Sequence, residues 1–202
     1  MARYTGSITK QSRREGVQLT AQKKVSKGLE KRNYPPGQHT RRARPSDFGG
    51  QLREKQKVKR IYGILEKQFK NYFQEAMRSK GVTGQRVLEL LETRLDNVVY
   101  RAGWAMTRAQ ARQFVNHGHI KVNGRKVDIA SYTVKLGDTL SLTPHGQKSK
   151  ALQVIVGEGK KAPSWILKKD DKKAEAEIQR MPAREEIDAF INEQLIVEYY
   201  SR

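Results

Sequence analysis

A chain of 202 residues with only 36% hydrophobic residues, 31% charged residues and a net charge of +20 has room for one modest core plus arms, or for two small domains. A surplus of 41 Lys+Arg over 21 Asp+Glu, with a pI near 10.2, costs self-repulsion in the free protein and points to a polyanionic partner, nucleic acid before an acidic membrane surface. The absence of cysteine excludes disulfides, thiolate zinc sites and cysteine nucleophiles, and no apolar run approaches the ~20 residues of a membrane-spanning helix or forms a secretory leader at the N-terminus, so the chain reads as a soluble intracellular protein.

The charge is concentrated at the start. Residues 1–60 hold 17 Lys/Arg against four acids. Residues 1–45 have no sustained apolar period and read as an extended basic arm that orders on its partner. Within it, Pro35-Pro36-Gly37 forces a turn ahead of Arg41, Arg42 and Arg44. From Phe48 a helical period carries Leu52, Ile61, Leu65, Phe69, Tyr72, Phe73 and Ala76, unbroken until "SKGVTG". Arg53, Lys57 and Arg60 form a basic row on that run, with Lys55 and Lys59 beside it. A second helical stripe, Val87, Leu91, Leu95, Val98 and Ala102, ends at Gly103, and Asp96 and Arg101 within it are candidates for a structural ion pair.

Thr107 is suited to cap the next helix, "RAQARQFVNH", which stops at Gly118. Arg108 and Arg112 fall about 40° apart on its flank, beside the buried edge of Ala111, Phe114 and Val115. "HIKVNGRKVDI" then alternates around Asn123-Gly124, the pattern of a tight hairpin, which would set Lys121 opposite Lys126. Like charges placed so are unfavourable, and a phosphate between them would remove the penalty. "YTVKLGDTLSLTP" supplies further strand, Pro182 with Glu185 and Glu186 reads as a helix start, and "LIVEYY" reads as a last strand or extended segment.

Enzyme chemistry finds no frame. His117 and His119 make only half of a metal site, with His39 and His145 remote in sequence. Gly157-Glu158-Gly159-Lys160-Lys161 lacks the order of a phosphate-binding P-loop, and no serine sits in a nucleophile elbow. The expectation is a non-enzyme with no metal and no cofactor. A basic helix flank beside a hairpin suits a folded RNA read by shape and backbone. A DNA-binding helix-turn-helix fits less well, because strands follow the helix and few Asn or Gln are placed for base edges.

The motifs "MARYTG", "SRREG", "PPGQH", "RPSDFGGQLREKQKVKRIYGILEKQF", "LLETRLDNVVYRAG", "TRAQARQFVNHGHIKVNGRKVDIASY" and "INEQLIVEYYSR" closely resemble the bacterial small-subunit ribosomal protein S4 family, nearly end to end. The resemblance implies an α+β chain: a mainly helical domain with an inserted S4 RNA-binding module, two helices on a small antiparallel sheet, and the basic arm. The expected division is an arm at 1–45, a helical domain at 46–91 completed by 174–202, the S4 module at 92–156, and a loop or linker at 157–173, with the weakest match between Gln147 and Lys173. It also implies direct binding to the 5′ domain of 16S rRNA, nucleation of 30S body assembly, contact with ribosomal protein S5 linked to translational accuracy, and a place near the mRNA entry channel. The expected location is a bacterial-type ribosome in the cytoplasm, without membrane association or homo-oligomerisation.

The site expected from these readings comprises Arg108, Arg112, His117, His119 and Lys121 in the module, Arg53, Lys55, Lys57, Lys59 and Arg60 on the first helix, and Arg13 and Arg14 in the arm, all toward rRNA. Arg41, Arg42 and Arg44 are the mRNA-entry candidates. A cysteine zinc cluster carried by some relatives has no counterpart here, and a pseudouridine synthase, which can share the module, would need a further catalytic domain for which the chain has no room.

Overall fold

The computed structural model describes residues 4–38, 44, 46–157, 161–170, 174–188 and 190–201. In chain order the helices are α1 (Ile8–Glu15), α2 (Lys23–Lys31), α3 (Asp47–Ile61), α4 (Glu66–Arg78), α5 (Thr83–Glu92), α6 (Leu95–Arg101), α7 (Arg108–Asn116), α8 (Pro144–Gln147), α9 (Lys150–Gly157) and α10 (Glu193–Tyr200). The strands are β1 (Ile120–Val122), β2 (Arg125–Lys126), β3 (Thr139–Leu142), β4 (Ile166–Asp170) and β5 (Glu175–Ile178). The chain is thus α+β, and it divides into a unit of Met1–Val87 with Asp188–Arg202 and a unit of Leu88–Ile187.

In the first unit, the helical run expected from Phe48 to Ala76 is two helices. Gly63, at φ +62°, takes a left-handed conformation open to glycine, and α4 restarts after Leu65. α3 buries Val58 and Ile61, but also Gln51, Glu54 and Lys55. These polar groups face α10: Gln51 Nε2 donates to Glu198 at 3.0 Å, Glu54 Oε1 accepts from the Asn192 amide at 2.9 Å, and the Lys55 ammonium lies 4.2 Å from the centre of the Tyr199 ring. Tyr200 stacks on Phe73 at 4.5 Å. "LIVEYY" is therefore helix, not strand. Asn192 caps it by accepting from the Gln194 amide, and the apolar run buries Ile196 while its tyrosines cover α3 and α4. A short apolar run has no period that separates strand from helix, and here the cap and the packing decide.

The basic arm is not extended over its described part. Ser7 caps α1, Gly16 ends it at φ +75°, and α2 packs on it with Val25 fully buried. The missing apolar period is offset by ionic ties. Glu15, its side chain 1% exposed, accepts from Arg60 and, at 3.4 Å, from Arg53 on α3.

The second unit packs α6 and α7 with a five-stranded antiparallel sheet in the order β2-β1-β3-β5-β4. Its core gathers Leu95, Val98, Trp104, Phe114, Ile120 and Leu140 with Trp165 and Ile178. Asn123 and Gly124 both have positive φ, the type I′ signature, and the register sets Lys121 opposite Lys126 as the hairpin spacing predicts. The expected boundaries for the linker and for the completion of the helical domain need correction. β4 lies inside the presumed linker at 157–173, and β5 lies in the stretch assigned to the helical domain, yet β5 pairs with β3 and extends the sheet by two strands. The alternation Glu175-Ala176-Glu177-Ile178 buries Ala176 and Ile178, and Trp165, 1% exposed, joins the core just before β4. The helix expected after Pro182 is only a 3-10 turn, Arg184–Glu186.

α8 is short but closely fitted. Thr143 caps it, accepting from the Gly146 amide and donating to the Gly118 carbonyl at 3.1 Å. A methyl group at Gly146 would lie 2.6 Å from the His119 carbonyl oxygen, a backbone atom that cannot rotate away. Gly146→Ala should therefore cost about 1–3 kcal/mol as overpacking. Urea unfolding of the variant beside the parent chain measures it.

Candidate nucleic-acid interface

Two buried carboxylates organise the basic flank of the second unit. Glu92, at the end of α5, has a side chain 1% exposed, and Asp96, in the first turn of α6, is similarly covered. Arg101 forks onto Glu92, with Nε and Nη2 each 2.8 Å from a carboxylate oxygen. Arg94 forks onto Asp96 at 3.1 and 2.8 Å. Arg112 reaches the same Asp96 Oδ2 from α7 at 2.6 Å, and Arg108, one turn earlier, donates to Asn97 Oδ1 at 2.7 Å and lies 3.7 Å from Glu92. Asn97 in turn donates to Glu92. The pairing expected between Asp96 and Arg101 is thus replaced: Arg101 takes Glu92, and Asp96 takes Arg94 and, from α7, Arg112.

Among the described residues, four guanidinium groups gather on these two carboxylates, a local surplus of two positive charges. Arg94 is buried, whereas Arg101, Arg108 and Arg112 stay partly open, and Arg108 stacks its guanidinium 4.7 Å above the Tyr100 ring. Side chains so held have already lost most of their rotamer freedom, so docking an anion on this flank adds little ordering cost.

The hairpin carries the next group. Ile120 and Val122 point into the core, which turns Lys121 to the other face, where it meets Lys126. Gly118, at φ +69°, leaves the space over which the Lys126 side chain lies. His117 is exposed, but His119 is 7% exposed, stacked on His145 at 4.9 Å and edge-on to Phe114 at 5.9 Å. Burial, then the neighbouring His145 and His117, pushes the His119 imidazole below its ordinary pKa. Such a ring packs as a neutral group and brings no charge to a phosphate. Its contribution to stability is present above the ordinary histidine value and is lost as pH falls below about 6.5. Urea unfolding at about pH 7.5 and about pH 5.5 should show a larger loss for the parent chain than for His119→Gln. Among the described residues no group of three or more His, Cys, Asp or Glu is placed to hold a metal.

The basic row on α3 is tied inward. Arg53 and Arg60 share Glu15, Lys57 bonds Glu54 at 2.6 Å and the Phe190 carbonyl at 3.3 Å, and Lys59 bonds Glu66 at 3.0 Å. Lys55, 3% exposed, bonds Glu66 at 2.7 Å beneath the tyrosines of α10. Burial raises the Glu66 carboxyl, but hydrogen bonds from Lys55, Lys59 and Tyr200 outweigh it and bring the group below the ordinary range. At Glu15 burial prevails over Arg60 and Arg53, and its carboxyl stands above that range. In the arm, Arg13 turns inward to the carbonyls of Tyr34 and Pro35, at 2.9 and 3.3 Å, whereas Arg14 is exposed. Arg44 is exposed, and Arg41 and Arg42 lie outside the described residues. Arg94 was not singled out in the sequence, and Arg101 only as a structural ion-pair candidate for Asp96. The only signal for them is the pair of acids at 92 and 96, whose burial needs cations from several helices.

Comparison with known proteins matches this architecture. The family model for the ribosomal protein S4/S9 N-terminal domain covers residues 3–92, and that for the S4 domain covers residues 93–140. Curated relatives named small ribosomal subunit protein uS4 align over the whole of both chains, at 51% identity in Natranaerobius thermophilus, 53% in Herpetosiphon aurantiacus and 51% in Chloroflexus aurantiacus. Among the described residues no helix is long and apolar enough to cross a membrane.

Proposed function

The chain belongs to the uS4 family of small-ribosomal-subunit proteins, and from that premise we propose that it binds the 5′ domain of 16S rRNA directly and nucleates assembly of the 30S body. It is a structural component of the small subunit rather than an enzyme, as are the relatives by name. The observation that carries the RNA reading is the arginine surplus around Glu92 and Asp96, set in the same unit as the facing lysines of the hairpin. Arg108 and Arg112, already fixed by their carboxylates, and Lys121, paired across the hairpin with Lys126, form a phosphate-binding edge. His117 adds a hydrogen-bonding group, and His119 shapes the hairpin from within. In the first unit, Arg53, Lys57, Lys59 and Arg60 reach RNA only by sharing or exchanging their carboxylate partners, while Lys55 and Arg13 support the fold behind them. Arg14 is the direct contact from α1.

The family supports the finer parts of the proposal: contact with ribosomal protein S5, a contribution to translational accuracy, and contact with mRNA near its entry through Arg41, Arg42 and Arg44. The setting is the bacterial cytoplasm. The test is binding to a 16S rRNA 5′-domain fragment and to an equally long unrelated structured RNA across a salt series. Binding to the first that persists at salt where the second is released supports the proposal. Equal binding, lost in parallel as counterions compete, would reduce the chain to a general polyanion binder.

A further inference from the structure

Helix α2 presents the reverse of α3. The cations of α3 are each engaged by a carboxylate of the same unit, whereas among the described residues Lys23, Lys24, Lys27, Lys31 and Arg32 make no ion pair. All five are exposed, and the only acid of the helix is Glu30. The sequence placed none of them in the site, because the arm has no apolar period from which a face could be read.

The structure supplies that face. α2 rests on α1 through fully buried Val25 and through Gly28, where a Cβ would overlap the Thr9 methyl group. That contact fixes the rotation of the helix. Lys23, Lys27 and Lys31 then follow one another along an exposed row, at about 6 Å of rise and 40° of turn per step, that runs from the side opposite this contact to its flank. Lys24 stands beside them. In the free protein the arrangement is unfavourable: like charges four residues apart repel, and Lys23 and Lys24 occupy the first turn, where the helix dipole is already positive. Gln22 offers no side-chain cap to offset it. A helix held in this rotation, with its lysines unneutralised, gains most from a linear polyanion lying along it.

We propose that the outward row of α2 (Lys23, Lys27 and Lys31, with Lys24) is a second RNA-docking track, separate from the arginine flank, that takes the sugar-phosphate backbone of an RNA double helix. Lysine ammonium groups are point charges without the fork that reads a base edge, so the track is blind to sequence. α2 carries no aromatic residue on which an unpaired base could stack, which favours a duplex over a single strand. The inference rests on the rRNA reading, and it assigns the arm a contact formed by a prefolded helix.

The test compares the full-length chain with Lys23→Gln/Lys27→Gln/Lys31→Gln and with the arginine triple at the same positions, on the 16S 5′-domain fragment across a salt series. The glutamine variant should bind more weakly, with a log–log salt slope shallower by about two to three units, and the arginine variant should keep the parental slope. Far-UV circular dichroism checks that α2 persists in both. A glutamine variant with parental slope and affinity overturns the track, as does an arginine variant that loses as much as the glutamine one. Loss of binding to phosphatidylglycerol vesicles with an unchanged RNA slope would also overturn it and assign the row to a membrane surface. Failure of the parent chain to distinguish the 5′ domain from the unrelated RNA counts against the proposed function alone. The track is then decided by the slope.

Discussion

Asp96→Ala is expected to lower the unfolding free energy by about 3–5 kcal/mol, the range for breaking a buried ion pair from one side. The cost arises from what remains. Arg94 is 2% exposed and directs both Nε and Nη2 at Asp96, so removing the carboxylate leaves a guanidinium charge in the interior with its principal counter-charge gone. Arg112 loses the same partner, but at 18% side-chain exposure it can recover hydration. Urea unfolding measures the loss, and Asp96→Asn distinguishes its sources, because the amide keeps the size and an acceptor but not the charge. If charge dominates, Asn should recover only a minor part. A loss below about 1 kcal/mol for Ala would mean that water or another acid takes over Arg94, and the arginine surplus would then not be rigidly held.

What the sequence made legible was local. Thr107 caps α7 and accepts from the Gln110 amide at 3.2 Å, Gly103 and Gly118 end helices at positive φ, and Asn123-Gly124 sets the hairpin register, since each signal involves residues within a few positions of one another. The place of β5 in the sheet was not legible because, besides its neighbour β4, it pairs with β3, with Leu140 opposite Ala176, and nothing local to "EAEI" announces a strand 36 positions away. The site divided the same way. The flank of α7 with Arg108 and Arg112 follows from helical geometry. The employment of Lys55, Arg53 and Arg60 does not, because it depends on Glu66 and Glu15, acids that only the fold brings to α3. Charge in sequence gives the sign of a surface, and pairing decides how much of that charge a partner meets.

That distinction sets the second large effect, on binding rather than stability. Arg108→Ala/Arg112→Ala should weaken binding to the 16S 5′-domain fragment and make the salt slope shallower by about two units, one for each lost phosphate contact. The module should stay folded, because each acid keeps a forked partner: Glu92 retains Arg101 at 2.8 Å and Asp96 retains Arg94 at 2.8 Å. The two variants of this network are therefore opposites. Removing an acid strands a buried cation and costs the fold, whereas removing the outer arginines leaves both acids compensated and costs the ligand. Arg108→Lys/Arg112→Lys separates charge from shape. Lysine keeps the cation and should restore the slope, but it loses the planar fork that bonds carboxylate and phosphate from fixed positions, so affinity should recover only in part. Parental affinity and slope in the alanine pair, with the fold intact by urea unfolding, would remove α7 from the interface and leave the hairpin lysines and the first unit to carry the RNA.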